Sequence, residues 1–285
     1  MDTEKCRALI CAIDTGSLTA AAEKLGYTTS GISRMMAALE AETGLSLLLR
    51  SRNGVEPTRE CRRLLPSLRE LVRCAQICEQ TAAGMTGLET GEVVIGVGYE
   101  AYYGWLAEVI ARFCEKYPGI RISTLDGLST ELVRALDDNR ADLCIISRRE
   151  GGHRWIHLKD DRLLAVLPRE HPLAKRESVP VEAYRSEPYI DICPDEETDN
   201  SIMLRRYGIK PRTRFGCSSI AAANAMVEAG LGICLINELG VSTLHGDTVA
   251  LPLDPPQFFD VGIALPADKS LSPAAKRFVE FAVKA

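Results

Sequence analysis

The chain has 285 residues, 46% of them apolar and 26% charged, with a formal net charge of -5. That is too long for one typical core and fits two or three compact units. Its apolar runs stop at strand length, far below the roughly 20 residues a membrane span needs, and Met1-Asp2-Thr3-Glu4-Lys5 opens no secretion signal. No membrane partner and a cytoplasmic location are therefore expected. The balance excludes a uniformly basic nucleic-acid binder but not a local patch. Residues 1–65 hold nine Lys and Arg against eight Asp and Glu, about +1, which leaves about -6 for the remainder.

In chain order, Cys6, Leu9, Ile10 and Ile13 repeat at helical spacing, so a helix runs from Thr3 to Thr15 and Gly16 ends it. Ser17 caps a short second helix that Gly26 closes. Thr28 offers the next cap, and a third helix from Thr29 to about Glu42 turns Ile32, Met35, Met36 and Leu39 inward. Thr29, Ser30, Ser33 and Arg34 are left on its outer, N-terminal face. Two short helices joined by a tight glycine turn form a helix-turn-helix, whose second helix fills a DNA major groove and brings hydroxyl and guanidinium groups to base edges. After Gly44, Leu47 to Val55 reads as strand, Asn-Gly turn and strand, a wing that carries Arg50 and Arg52. On pattern alone a structural three-helix cap stays open.

The run GSLTAAAEKLGYTTSGISRMMAALEAETGLSLLLRSRNGVEPT resembles the winged helix-turn-helix of LysR-type transcriptional regulators. The resemblance rests on Gly16, Ser17, Ala21, Ala22, Ser33, Leu39, Glu40, Gly44, Arg50 and Thr58 in that order. It implies double-stranded DNA as partner, with Ser17, Thr19, Thr28, Thr29, Ser30, Ser33, Arg34, Arg50, Arg52 and Thr58 as candidate contacts. Thr29-Ser30 stand where the family often has Gln-Pro, Leu49 where it commonly has Phe, and Cys61 where it has Gly. These departures bear on which base sequence is read.

From Cys61, apolar residues step by three and four through Leu64, Leu68, Leu71, Ala75, Cys78 and Ala82, a heptad seam. Arg62, Arg63, Arg69, Glu70, Arg73, Gln76, Glu79 and Gln80 take the other faces, and Pro66 predicts a kink. Leu64, Leu68, Leu71, Ala75 and Cys78 are the candidate dimer seam; the competing reading packs this helix on its own domain. The family's linker helix dimerises, which implies a homodimer, and the resemblance extends to a homotetramer. RNA polymerase is a further candidate partner. Gly84, Gly87 and Gly91 read as a hinge.

Beyond it, strands at Glu92–Gly98, Ile120–Leu125 and Ala141–Ile146 alternate with helices at Trp105–Tyr117 and Thr130–Asn139, an α/β unit with a mostly parallel sheet. A second unit starts near Leu167 and holds a strand at Arg212–Cys217, a helix at Ser219–Gly230 and a strand at Gly232–Ile236. Phe259–Pro266 and a terminal helix from Pro273 return to the first unit, making two crossings and a hinge. The landmarks GEVVIGVG, FCEKYPGIRIS, LDDNRADLCII, LPREHPLA and MVEAGLGICLIN are similar to the family's effector domain, which resembles periplasmic binding proteins.

The expected architecture is thus α/β overall. A winged helix-turn-helix (1–58) leads through a linker helix (59–88) to a two-subdomain sensor (91–285). Its subdomain I covers about 91–166 and 257–285, and subdomain II about 167–256. Ligands of open α/β sheets collect outside the strands' carboxyl ends. The candidate effector residues are therefore Tyr99, Glu100, Ala101 and Tyr102, then Ser129 and Thr130, Ser147 and Arg148, and Ser218 and Ser219. Glu100 disfavours an anionic ligand unless Arg148 compensates, and the tyrosines suggest an aromatic or amphiphilic one.

No catalytic constellation is present. His153, His157, His171 and His245 show no motif spacing, and Gly96-x-Gly98 lacks the remaining glycine of a dinucleotide fingerprint. Ten cysteines scatter singly without zinc spacing, so no metal ligand is assigned. Cys74 with Cys78, and Cys193 with Cys217, leave redox sensing as a minor alternative to inert thiols. The expectation is a transcription regulator, not an enzyme, that needs no cofactor and answers to an unidentified small-molecule effector. The rival is a solute-binding or accessory protein with a degenerate DNA domain.

Overall fold

In the computed structural model, residues 1–51, 54–86, 89–242, 244, 246–267 and 270–284 are described. Arg52, Gly87 and His245 lie outside this set. Helices α1 (Thr3–Thr15), α2 (Leu18–Leu25) and α3 (Thr29–Thr43) each start at a side-chain oxygen that accepts a backbone N–H: Asp2 from Glu4, Ser17 from Ala20, Thr28 from Gly31. Each ends at a left-handed glycine, Gly16, Gly26 or Gly44. Capping at both ends lets helices this short persist, because it satisfies backbone groups that would otherwise compete for water. Leu9, Ile32, Met36, Leu39 and Leu47 form the core between them.

Strands β1 (Leu48–Ser51) and β2 (Gly54–Pro57) pair antiparallel as the wing. Glu40 fixes its root by accepting the Leu47 N–H at 2.7 Å. At the other side the Val55 N–H donates to the Gly16 carbonyl at 2.9 Å. A Cβ at Gly54 would lie 2.3 Å from that oxygen, so only glycine permits the approach.

Helix α4 (Arg59–Met85) is capped by Thr58 and continues through Pro66. Its first half serves its own domain. Cys61, Leu68 and Val72 are buried in the winged-helix core, with Leu64 and Leu71 half-buried beside them. Leu68, placed in the dimer seam by its spacing, is 3% exposed within a single chain. The first half of the stripe that would serve a coiled coil packs into this core instead, and heptad spacing cannot tell the two apart. Val72, off the expected seam, is buried as well. Arg69, assigned to a wet face, is 7% exposed because it pairs with Asp14. Farther along, Ala75 is half-buried and Cys78 exposed. There Arg73 donates to the Ser270 carbonyl at 2.6 Å, and the Gln80 carboxamide accepts the Ala274 N–H at 3.2 Å, tying the linker to the sensor.

The sensor's first lobe holds β3 (Gly91–Val97), α5 (Tyr103–Lys116), β4 (Ile120–Asp126), α6 (Ser129–Asp137) and β5 (Leu143–Ser147). Then β6 (Arg154–Pro168) crosses to a second lobe with β7 (Val179–Pro180), β8 (Pro188–Ile192), α7 (Asp199–Arg206), β9 (Arg212–Cys217) and α8 (Ile220–Glu228). After β10 (Cys234–Asn237) and α9 (Glu238–Val241), β11 (Thr248–Leu265) returns the chain, and α10 (Pro273–Ala282) closes on the first lobe. The principal sheet has the order β10-β6-β11-β5-β3-β4. Along this order only β4-β3-β5 is parallel, with the short β7 added parallel to β11 at one side, since β6 and β11 run antiparallel to each other from Thr248 opposite Pro168 to Leu265 opposite Arg154. The sheet is therefore mixed, and the two crossings are one continuous ribbon. Separate apolar cores flank it: Phe113, Phe278 and Ile263 in the first lobe, and Tyr184, Tyr189 and Leu235 in the second.

Candidate functional site

Two surfaces carry chemistry. On the winged helix, Thr28, Thr29, Ser30 and Arg34 are exposed at the start of α3, while Ile32, Met36 and Leu39 anchor its opposite face. The hydroxyls of Thr28 and Ser30 lie 3.1 Å apart, and Arg50 from β1 donates to the Ser33 hydroxyl at 3.2 Å. Recognition helix and wing are thereby coupled on one polar, cation-bearing face. Thr19 is exposed on α2. Two candidates do structural work instead. Ser17 is half-buried and spends its oxygen as the α2 cap. Thr58 is 6% exposed, donates to the Ser46 carbonyl at 2.8 Å and accepts the Cys61 N–H at 3.0 Å, so it closes the wing onto α4 and has no hydroxyl to offer DNA.

The second surface is a cleft of about 210 Å³ between the lobes. The first lobe contributes Tyr99, Glu100 and Ala101, which follow β3, and Ser129 at the start of α6. The second contributes Cys193 after β8, Asn200 at the start of α7, and Ser218 and Ser219 ahead of α8. Asn237 of β10 and Phe259 of β11 complete the lining. Six of the ten residues expected from strand-end placement thus line one cavity. That follows from topology, because strand ends and helix starts of both lobes converge where the ribbon crosses.

The other four do not line it. Tyr102 turns into the first lobe's apolar core, where burial beside Asp161 drives its phenol well above the ordinary range. Arg148 points outward, 63% exposed, onto Asp260 of β11 at 3.4 Å. Thr130 sits beside the cleft, accepting from Arg149 Nε at 3.2 Å. Ser147 is buried behind the wall; its hydroxyl donates to Asp199 at 2.6 Å.

Sequence reasoning missed Arg149 and Asp199. Arg149 Nη1 meets Asp199 Oδ1 at 2.7 Å with both side chains about nine-tenths buried, an ion pair that joins the lobes. Burial lifts the Asp199 carboxyl, to about 7 even against the charge of Arg206, and lowers Arg149, to about 10. The direct contact opposes both shifts, and a guanidinium at 10 is still protonated at neutral pH, so the pair stands ionised. Alternation of facing along the chain after β5 is the one signal that separates Arg148 from Arg149, and it is blind to what crosses from the other lobe.

A winged helix-turn-helix joined through a long helix to a hinged two-lobe domain defines a ligand-responsive DNA-reading regulator. The description "Bacterial regulatory helix-turn-helix protein, lysR family" matches residues 3–62, and "LysR substrate binding domain" matches residues 86–285. The chain belongs to the LysR family of transcription regulators, which are not enzymes. It is 31% identical over 272 residues to an uncharacterized HTH-type transcriptional regulator, YvbU, of Bacillus subtilis (strain 168), covering 94% of this chain and 93% of that protein. A full-length OxyR variant from Pseudomonas aeruginosa shares the fold with a TM-score of 0.76 at 20% identity, over 100% of this chain and 94% of that one. CbnR complexed with its target DNA does so with a TM-score of 0.64 at 18% identity, over 100% and 99%. The rival reading as a solute-binding protein with a degenerate DNA domain is not favoured. Among the described residues no helix is long and apolar enough to cross a membrane.

Proposed function

We propose that this chain acts in the cytoplasm as a homo-oligomer that lays α3 in the major groove of an operator, and that a small molecule in the interlobe cleft alters its grip on DNA or on RNA polymerase. The observation that carries this is the coupled polar face of Thr28, Ser30, Ser33, Arg34 and Arg50 standing clear of an apolar core. CbnR, of the same fold, has been captured on its target DNA, which supports the same use of α3 here. The half-buried Leu64, Leu71 and Ala75 and the exposed Cys78 leave part of α4 available to a second copy, and a dimer of such dimers would form a tetramer. No cofactor is needed for any of these steps.

Binding of Arg34→Ala to operator and random duplexes across a salt series tests the DNA assignment. Loss of a base-edge contact costs about 1 to 3 kcal/mol at one base pair, whereas loss of a phosphate contact weakens all sequences and flattens the salt slope by about one. Unchanged affinity together with an unchanged slope would remove Arg34 from the interface. For the effector, reciprocity requires that it change DNA affinity by the factor by which DNA changes its own.

A further inference from the structure

Open α/β domains present helix N-termini and strand-end hydroxyls to their clefts, a setting that favours anions. Here that seat is already taken. Ser129 and Ser147, 4% and 2% exposed, lie with their hydroxyls 3.3 Å apart at the start of α6, and Arg149 stands beside them. The Asp199 carboxylate enters from the second lobe and accepts from Ser147 at 2.6 Å and from Arg149 at 2.7 Å. A carboxylate ligand would have to expel it and leave a desolvated charge without a partner.

The open part of the cavity has the opposite polarity. Its charged lining is Glu100, Glu197, Asp199 and Arg149, three carboxylates against one cation that is bonded to Asp199, Ser147 and Thr130. Glu197 is held by Arg205 at 2.7 Å. Glu100 is exposed and has no ion-pair partner among the described residues. Arg148, the cation the sequence offered as its compensation, does not line the cavity and pairs with Asp260 instead. Tyr99 and Phe259 border the same space, and aromatic faces attract ammonium groups. Tyr99 also carries a buried hydroxyl without a partner among the described residues, a hydrogen-bonding group still to be used.

We infer that Asp199 is a built-in occupant of the cleft's anion seat, and that the remaining cavity, with Glu100 at its mouth and Tyr99 and Phe259 on its walls, takes a small amine-bearing cation. This rests on the cleft being the effector site.

The test uses the full-length protein and charge-matched probes, phenethylamine against 3-phenylpropionate and putrescine against succinate, read by thermal unfolding and titration calorimetry. At least one amine should stabilise saturably while its carboxylate counterpart does not, and Glu100→Gln should weaken that amine several-fold or more. Asp199→Ala should vacate the seat, so that acetate or formate now stabilises the variant saturably and leaves the wild type unmoved. Should Asp199→Ala not fold, Asp199→Ser keeps a short polar group toward Ser147 and Arg149 while opening the seat, and should show the same gain with anions. Carboxylates stabilising the wild type, neither amine doing so, or a folded Asp199 variant indifferent to acetate would each overturn the inference. If a carboxylate binds and Ser219→Ala or Phe259→Ala abolishes it, the charge assignment fails but the cleft remains the effector site. A stabilising ligand indifferent to variants at Glu100, Ser219 and Phe259 removes the cleft reading itself.

Discussion

The winged helix and the sensor cleft place their polar groups by different means. On α3 the groups are set within one small domain: Thr28 by its own cap, Ser33 by Arg50 of the adjoining wing, the helix itself by Gly26 and Gly44. In the cleft, Ser147 and Arg149 are completed by Asp199, fifty or so positions away and on the other lobe. A change in the first region is therefore expected to act locally. In the second it should reach the relation between two lobes, with consequences that depend on charge and pH.

The largest effect is expected at that interlobe pair. Arg149→Met leaves a buried carboxylate without its partner, a loss of about 3 to 5 kcal/mol at pH 8. Burial raises the Asp199 carboxyl from its ordinary 3.8 to about 7 against the opposing charge of Arg206, and without Arg149 no direct ion pair counters that rise. A carboxyl raised on folding binds more protons in the native state, so the variant should lose stability as pH rises from about 4 to about 7 and change little above that. The wild type should lack this dependence. Urea unfolding at pH 5 and pH 8 reads the difference, and an equal deficit at both would mean the pair is not ionised.

Next comes Leu68, which decides between core and seam. Leu68→Ala should cost about 2 to 5 kcal/mol in unfolding of the N-terminal half, as buried leucines do, at any protein concentration. A deficit that appears only on dilution, tracking dimer dissociation by sedimentation, would return Leu68 to the seam.

Thr58→Ala sharpens the contrast between caps and contacts. Loss of the cap costs about 1 kcal/mol, while operator affinity and its salt slope should stand unchanged at temperatures where the protein is folded. A drop of about one in the slope would make Thr58 a DNA contact after all.

The smallest change is expected at Arg148. An ion pair this exposed contributes about 0 to 1 kcal/mol, so Arg148→Ala should leave chemical unfolding and cleft ligands essentially untouched. Placed beside Arg149→Met, it measures what burial adds to the same chemistry one residue away. If the two behaved alike, the cleft would not be closed over Arg149.

Helix boundaries, wing and polar recognition face were legible in the sequence because caps, glycine stops and apolar periodicity are local devices, repeated at Gly16, Gly26 and Gly44. The two-lobed sensor was legible as an alternation of strands and helices, and the strand-end rule located Tyr99, Glu100, Ser129 and Ser219 in one cavity. What only the tertiary structure decided was which partner each side chain meets. It turned the first half of the α4 stripe into the winged-helix core and joined the two crossings into one antiparallel ribbon. It buried Arg69 on Asp14 and drove Asp199 into the hydroxyl seat of the opposite lobe. Periodicity specifies a face and a cap specifies an end, but the energy of a buried charge depends on what lies within a few ångströms of it, and chain separation carries no record of that distance.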